Sequence, residues 1–465
     1  MKSKTSKCKK QSKKISLEAA WEPVNVHAAG VDIGSREHWA CVPPEATERN
    51  VRKFGTFTAD LEAMAQWFLE CGVTSVAMEA TGVYWIALFQ ILERRGLRVI
   101  LVNARQTKNV AGRKSDVQDC QWIQRLHTYG LLQGSFRPED PYCVLRTYLR
   151  YRDEHVSARS TQCQHMQKAL LQMNIQLTQV LSDVTGVSGL AIIGAILEGQ
   201  RDPAKLGAMV HRGVRASASD MQKALQGDYR PEHLFVLRQA YELFHTYEAK
   251  INACDEQIAR EIASLPAKVN PALKPMPARK EGRKASLDKM AGLDMRRELY
   301  EKLGVDVTGV EGIGVLTGLI LLTEVGPNVT RFRSEKHFCS WLGLCPDNRI
   351  SGGKVLSSRT RRVVNRASDA LRMAATTLER SQSALGGFYR RMKARLGAAE
   401  AVTATAHKLA RIIYRLLKHG EAYVRQGLEE YEKKFRERRL CGLQKAAKTM
   451  GFQLTPNQTL PSGVS

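Results

Sequence analysis

Four carboxylates in the N-terminal third of the chain lie at positions suited to holding a metal ion. Asp32 ends a short apolar segment just before Gly34, which permits a tight turn and lets the carboxylate project from a sheet edge. Glu79 ends a second apolar segment, and Asp116 and Asp119 are three residues apart, so that they share one face of a predicted helix. Converging acids repel one another unless a cation compensates them, and Mg²⁺ is a hard cation that prefers oxygen ligands.

Taken as a set, these carboxylates indicate phosphodiester chemistry. Two Mg²⁺ ions roughly 3.5–4 Å apart can hold the attacking and leaving oxygens of a phosphodiester. Each residue alone has a simpler interpretation, since Asp32 could be a turn residue and Asp116 a helix N-cap. Their joint occurrence at strand ends and on one helix, in a basic protein, favours a metal-dependent nuclease site.

The segments around these acids predict a mixed sheet flanked by helices. Apolar runs and turn residues over positions 24–140 give the order strand, strand, strand, helix, strand, helix, strand, helix. This order is typical of an α/β domain whose strand ends can gather side chains at one edge.

The remainder of the chain is predicted to be mostly helical. Two long amphipathic patterns favour an antiparallel coiled-coil arm, although a plain helical bundle fits the same periodicity. The domain boundaries that we predict are a disordered basic arm at 1–23, the α/β domain at 24–140, the helical arm at 141–265, a Pro- and Lys-rich linker at 266–299, a mostly helical domain at 300–425 and a charged tail at 426–465.

The charge balance indicates a polyanionic partner. The chain has 71 Lys and Arg against 46 Asp and Glu, a net charge of +25. Nucleic acid is the commonest polyanion, but ribosomes, anionic lipid or simple solubility would also accommodate this charge. The ten cysteines form no C-x-x-C pair and no zinc spacing, which favours free thiols in a reducing compartment. Without a signal segment or an apolar run of membrane-spanning length, we expect a cytoplasmic protein with no membrane contact.

A glycine-rich turn in the C-terminal half could bind a phosphate. Gly312 and Gly314 lie between two predicted helices, where backbone N–H groups at a helix start suit an anion. This pattern looks like a helix-hairpin-helix element, which binds DNA through its backbone. The alternative is a helix–helix corner in which small residues serve packing, but the neighbouring positive charge favours the DNA interpretation.

A serine followed by two glycines lies in the most basic part of the same region. Residues 331–372 contain ten Lys and Arg and three Asp and Glu. Glycines let a backbone approach a phosphate closely, and a flexible loop can present the hydroxyl of Ser351, although a serine is a weak nucleophile unless it is activated. Most serines in such loops are structural. The residues that could hold a phosphate here are Gly352, Gly353, Lys354, Arg359, Arg361 and Arg362.

Five segments together resemble the one-ten family of bacterial insertion-sequence transposases: GVDIG, MEATGVYW, NARQTKNVAGRKSDVQDCQWI, GVEGIGVLTG and WLGLCPDNRISGGK. The resemblance covers residues about 26–130 and 305–420. It implies a RuvC-like (RNase H-like) N-terminal domain whose acidic set would be Asp32, Glu79, Asp116 and Asp119. It also implies a C-terminal transposase domain whose nucleophile would be Ser351.

The same resemblance implies nucleic-acid partners and an oligomer. Members of the family use a structured non-coding bridge RNA that pairs with donor and target DNA, and they assemble as a dimer of dimers, so a tetramer is expected. One departure is that residues 359–368 lack a glycine that relatives often have after the serine loop. Ser357 and Ser358 are weaker candidates for the nucleophile, and His407 is expected to serve packing or DNA contact.

The resulting expectation is a DNA transposase that cuts and rejoins an insertion sequence through a phosphoserine intermediate. The first alternative is an Mg²⁺-dependent junction-resolving nuclease that uses water, with Ser351 structural. The second is a non-catalytic nucleic-acid-binding protein whose four acids are surface groups.

Overall fold

A five-stranded mixed sheet is the centre of the first of two compact units, which comprise residues 1–137 and 138–465. The computed structural model describes residues 22–103, 116–211, 213–278 and 288–455. Most of the predicted basic arm, part of the predicted linker and the last residues of the predicted tail therefore lie outside the described residues.

The sheet has the mixed topology that the sequence predicts. Its strands are β1 (Ala28–Ile33), β2 (Glu37–Cys41), β3 (Val51–Gly55), β4 (Ser75–Glu79) and β5 (Arg98–Val102). Their order across the sheet is β3-β2-β1-β4-β5. The first three strands pair antiparallel, whereas β4 is parallel to β1 and β5 is parallel to β4. The mixed α/β character of the N-terminal domain is thus confirmed.

Within residues 22–103 and 116–137, three helices cover this sheet: α1 (Thr58–Glu70), α2 (Trp85–Arg94) and α3 (Asp116–Thr128). The first two pack on one face, where Val31 and Met78 of the sheet join Phe68 and Leu88 in a buried apolar cluster. Because side chains alternate along a strand, the neighbouring positions point to the opposite face. The third helix packs on β1, β2 and β4.

Two long antiparallel helices, α4 (Asp140–Gln172) and α9 (Pro231–Ser264), begin the second unit. A proline in the first turn of each suits its helix start, where the missing N–H costs nothing. Ion pairs join Arg152 to Asp255 and, at 3.8 Å, Arg159 Nη1 to Glu248 Oε1. Because residue numbers rise along α4 while those of the partners fall along α9, the two helices are antiparallel.

Four short helices connect the two long ones: α5 (Leu177–Val180), α6 (Val187–Leu197), α7 (Pro203–Ala208) and α8 (Ala218–Ala224). They form an apolar core with the ends of the long helices, which includes Met166, Leu170, Ile192 and Leu237. The arm therefore carries a globular tip that its two periodic patterns do not indicate.

The remaining elements of the second unit are mostly helical, which confirms that expectation. They are β6 (Lys289–Met290), β7 (Leu293–Asp294), α10 (Met295–Leu303), a 3-10 turn (Val307–Gly309), α11 (Val315–Val325), α12 (Glu335–Trp341), β8 (Arg349–Ser351), β9 (Lys354–Ser357), α13 (Arg366–Thr377), a second 3-10 turn (Leu378–Arg380), α14 (Ala384–Leu396), α15 (Ala398–His419) and α16 (Glu421–Thr449).

Two segments differ from their predicted structure. The predicted charged tail begins inside α16, a helix of 29 residues, because the Phe435 ring packs against Gly387 of α14, 2.3 Å from where a Cβ would lie. The residues before the glycine-rich turn form a three-residue 3-10 turn instead of the predicted first helix.

A buried ion pair fixes that 3-10 turn to α10. Arg296 Nε donates to Asp306 Oδ2 at 3.1 Å and to Thr308 Oγ1 at 3.2 Å. Its Nη2 also donates to the Pro277 carbonyl at 2.8 Å. The guanidinium therefore holds three segments of backbone together inside the second unit.

Each cysteine in the described segments has a free thiol. Among the helices of those segments, none is both long and apolar enough to cross a membrane.

Candidate active site

The pairing of β1 with β4 brings Asp32 and Glu79 side by side. The two strands are parallel and pair Ala28 with Ser75 through to Val31 with Met78. The same register puts Asp32 opposite Glu79, and neighbouring strands lie roughly 4.8 Å apart. Since Val31 and Met78 face the α1–α2 core, the two carboxylates point to the other face, on which α3 packs.

Helix α3 approaches that face closely because β1 has a glycine beneath it. A Cβ on Gly30 would lie 2.2 Å from the Gln124 backbone nitrogen and 2.6 Å from the Cys120 carbonyl oxygen. Two polar contacts fix the helix: Gln124 Nε2 donates to the Ala28 carbonyl at 3.3 Å, and Ser75 Oγ lies 2.9 Å from His127 Nε2. Its first turn carries Asp116 and Asp119, so these acids start from the same sheet face as the strand-end pair.

The electrostatics of Asp32 shows that the other three acids lie near it. The pKa of Asp32 is raised from its ordinary 3.8 to about 6, first by burial and then by repulsion from Asp116, Asp119 and Glu79. The Thr81 hydroxyl donates to Glu79 Oε1 at 3.2 Å, a contact that sequence reasoning missed. The arrangement leaves excess negative charge in a half-buried place, which a divalent cation would neutralise.

The carboxylate oxygens suit a hard cation, but the four side chains do not converge on a single point. Within residues 22–103 and 116–137, and in the rest of the described chain, no three His, Cys, Asp or Glu side chains are arranged to hold a metal ion. Burial raises the pKa of the nearby Cys41 and Cys120 thiols to about 12, so both are protonated in the cation-free protein. A cation here would therefore draw the carboxylates inward as it binds.

His127 is not a charged proton donor beside the four carboxylates. Burial, and then the positive charge of Arg98, lower its pKa to about 4, so its ring is neutral and serves the contact with Ser75. The residues that sequence reasoning missed at this site are thus supporting groups. The role of Gly30 could have been predicted from the sequence, since a lone glycine inside an apolar strand indicates a close backbone approach.

Ser351 lies in a β-hairpin instead of the expected flexible loop. It ends β8 and pairs with Lys354 of β9 across the two-residue turn of Gly352 and Gly353. Both glycines have positive φ, 54° and 77°, which such a tight turn requires. The Ser351 side chain is exposed at the tip.

The cations predicted around the serine are also exposed. Lys354, Arg359 and Arg362 extend to solvent, whereas Arg361 Nη2 donates to the Ser340 carbonyl at 3.0 Å. The hairpin base is tied down by the Asp347 backbone N–H, which donates to the Arg359 carbonyl at 2.9 Å. The hairpin and the segment that follows it thus expose a hydroxyl and several positive side chains.

The two glycines of the Gly-rich turn have different roles. Gly312 has φ +83°, and a Cβ there would lie 2.9 Å from the Ala374 carbonyl oxygen, so this residue serves the turn and the packing. Gly314 precedes α11 as its N-cap, and nothing lies within 4 Å of where its Cβ would be. The backbone beside Gly314 is therefore open to an approaching anion.

The structure divides the predicted site residues between its two units. The four acids belong to residues 1–137, and Ser351, the surrounding cations and the glycine turn belong to residues 138–465. Within each unit the predicted residues are grouped as described above.

Comparison with known proteins gives two family matches. A family model described as "Transposase", whose name includes the letters DEDD, matches residues 29–175 and so spans all four acids. A second, described as "Transposase IS116/IS110/IS902 family", matches residues 307–390 and spans the glycine turn and the hairpin. Helix α16 lies beyond both matches.

A curated protein from Sinorhizobium fredii, "Putative transposase y4pF/y4sB", is 33% identical over 124 residues. The match covers 24% of this chain and 31% of that protein. The chain thus matches less than a third of the length of this relative.

Proposed function

Because this chain belongs to the IS110 family of transposases, we propose that it cuts and rejoins the DNA of a mobile insertion sequence. The observation that carries the proposal is the grouping of Asp32 and Glu79 with the acids of α3 on one sheet face, inside a segment matched by a DEDD family model. A cytosolic enzyme acting on bacterial DNA follows from this role.

An RNase H-like fold for the first unit is part of this proposal. It is supported by the sheet order β3-β2-β1-β4-β5, with three antiparallel strands followed by two parallel ones. The carboxylates at the ends of the adjacent strands β1 and β4, facing a helix that carries two more, would hold Mg²⁺. When bound, Mg²⁺ polarises a scissile phosphate and stabilises the charge on the leaving oxygen.

Ser351 is the nucleophile in this proposal. Its Oγ forms a bond to phosphorus while the bond from phosphorus to one DNA oxygen breaks, and the serine proton ends on the departing DNA hydroxyl. The reverse step, with the hydroxyl of another DNA end as the attacking group, releases Ser351 and rejoins the DNA without water or a high-energy cofactor. Lys354, Arg359 and Arg362 would bind the phosphate as charge-assisted donors.

Contacts with nucleic acid extend beyond the reacting groups. The open backbone beside Gly314 supports a helix-hairpin-helix role on the DNA backbone, with the 3-10 turn standing in for a first helix. A bridge RNA and a tetrameric assembly are proposed from the family resemblance. The net charge of +25 supports the binding of RNA in addition to DNA.

The experiment that tests this function is a denaturing-gel assay for a covalent protein–DNA adduct. It uses junction DNA of the element, RNA transcribed from its flanks, and Mg²⁺. We expect an adduct with the wild type, none with Ser351→Ala, and an unchanged adduct with the control Ser358→Ala, an exposed serine of the same basic segment.

Each alternative has its own outcome in this assay. Cleavage that persists in Ser351→Ala without any adduct would leave a metal-dependent nuclease that uses water. Binding without cleavage, unaffected by Asp32→Asn, would leave a nucleic-acid-binding protein.

A further inference from the structure

A short loop after Glu79 exposes large apolar side chains at the edge of the sheet where the carboxylates gather. Residues 80–86, which we call the aromatic loop, comprise the connection that follows β4 and the first two residues of α2. Val83 is 68% exposed, Tyr84 48% and Ile86 40%. Exposed apolar residues grouped beside a polar site are typical of an interaction surface, because they contribute nothing to the core.

The aromatic loop is fixed by its own contacts. The Ala80 backbone N–H donates to the Val102 carbonyl at 3.0 Å, which extends the β4–β5 pairing by one residue. Trp85 Nε1 donates to the Gly82 carbonyl at 3.1 Å, and its ring packs edge-to-face on Phe89, with centroids 5.6 Å apart. Trp85 is therefore the anchor of the loop.

Tyr84 is displayed by this anchored loop. Gly82 has φ +55°, and a Cβ at that position would lie 3.5 Å from the Tyr84 ring atoms Cδ2 and Cε2. The ring thus lies over the glycine turn, five residues from a carboxylate, with about half of its surface free. A side chain that served only stability would be turned inward, as Trp85 is.

We propose that Tyr84 stacks on a nucleobase next to the phosphate handled at Asp32 and Glu79, with Val83 and Ile86 bordering that base. This inference rests on the proposed function and names a contact within it. Mg²⁺ held by the carboxylates would attract the phosphate itself, so a further attraction is needed only for the base that adjoins it. Stacking on an aromatic ring supplies such attraction and tolerates any base. Tyr84 would be a positioning residue that holds the strand in line with the acids.

Photocrosslinking tests this stacking directly. The probe is DNA from the element ends with a short unpaired stretch that carries 5-iodouracil at one position at a time, in the presence of the flanking RNA and Ca²⁺. Irradiation links iodouracil to an aromatic ring stacked on it, and mass spectrometry of the peptide identifies the residue. We expect a crosslink at Tyr84, a crosslink retained in Tyr84→Phe and none at this position in Tyr84→Ala.

Affinity measurements give a second readout. Tyr84→Ala is expected to bind the unpaired stretch about 5- to 150-fold more weakly, and Tyr84→Phe as tightly as the wild type. The ratio should stay constant as salt rises, whereas Arg362→Gln should reduce the salt slope by about 1. The matched control is Phe57→Ala: Phe57 is 80% exposed and follows β3, which lies on the other side of β1 from β4.

Each outcome decides the inference. Crosslinks at other residues only, together with wild-type affinity of Tyr84→Ala, would overturn stacking while DNA binding and adduct formation leave the proposed function intact. A change in the assembly state of Tyr84→Ala without loss of DNA affinity would mean that a second copy covers the loop, which also overturns it. If the wild type binds no DNA and forms no adduct, the proposed function fails and the stacking contact fails with it.

Discussion

At the scale of single residues, Asp32 carries the electrostatic signature of the candidate site. Its carboxylate is half-buried and faces three others, and burial is the largest cause of its raised pKa of about 6. A folded protein keeps such a group only where another requirement outweighs stability, and perturbed carboxylates of this kind cluster at functional sites.

We predict that Asp32→Asn stabilises the cation-free protein in a pH-dependent way. The folded-state pKa of about 6 lies above the ordinary 3.8, so the charged carboxylate destabilises the folded state fully above pH 6. That cost fades as the pH falls from about 6 to below 4. The melting temperature in EDTA should therefore rise at pH 8, by about 2–4 °C for each kcal/mol of repulsion removed, and stay nearly unchanged near pH 4.

The control for that measurement is Glu70→Gln, an exposed carboxylate at the end of α1 that should change little at either pH. An equal gain for Asp32→Asn at both pH values would mean that the amide packs better, and the electrostatic explanation would be wrong.

The identity of the four acids could be predicted from the sequence alone, but their arrangement in space could not. Apolar runs that end in Asp32 and Glu79 predict strand ends, but the parallel register that aligns the two depends on contacts between distant segments. For Ser351, two glycines flanked by Ile350 and Val355 are a hairpin signal, and the expectation of a flexible loop overlooked it.

At the scale of elements, close helix–sheet contact sets where the acids of α3 lie. We predict that Gly30→Ala lowers the free energy of unfolding by about 1–3 kcal/mol, since its Cβ would meet the α3 backbone and force the helix outward. Urea denaturation of the full chain measures this loss.

The control for Gly30 is Gly442→Ala, a helical position with open space around it. It should raise stability by up to about 1 kcal/mol, because alanine is the better helix former. Equal stability of Gly30→Ala and wild type would show that α3 can shift freely.

The ion pair that fixes the 3-10 turn to α10 gives a prediction for the second unit. Asp306→Ala should cost about 3–5 kcal/mol, because it leaves the guanidinium of Arg296 buried without its carboxylate. The comparison is Glu62→Ala, whose partner Arg95 lies at the surface and whose loss should cost less than about 1 kcal/mol. Similar losses in both variants, measured by urea denaturation, would contradict the role assigned to this pair.

Secondary structure could be predicted where periodic patterns are long. The strands of the sheet and the helices α4 and α9 follow from such patterns. The four short helices at the arm tip do not, because a helix of one or two turns is held by tertiary packing and has little periodicity of its own. Composition did not predict α16 for a related reason, since contacts of Phe435 with Gly387 and of Glu432 with the Ala384 N–H anchor a segment that has the charge of a tail.

At the scale of the whole molecule, each of the two units contains a buried apolar cluster of its own. We predict that a fragment of residues 22–137 folds cooperatively by itself and that Mg²⁺ or Mn²⁺ raises its melting temperature. The melting temperature of a domain of this size should rise by about 4–8 °C for each kcal/mol of binding free energy. Calorimetry of the fragment, with Glu79→Gln as the variant that loses the shift, measures this.

The outcome of the fragment experiment separates two questions. A fragment that melts cooperatively but ignores divalent cations would contradict the proposed metal site. An unfolded fragment would show that the core around Phe68 and Met78 is insufficient without the second unit.

The pairing of β1 with β4 also determines where this protein can tolerate insertions and deletions. Removing one residue from either strand would turn the remaining side chains over and send Asp32 or Glu79 to the α1–α2 face. The connection between β2 and β3, residues 42–50, closes on itself through the Val42 N–H and the Asn50 carbonyl at 2.9 Å. Lengthening that connection leaves both carboxylates opposite each other, so a peptide tag or a fluorescent label belongs there.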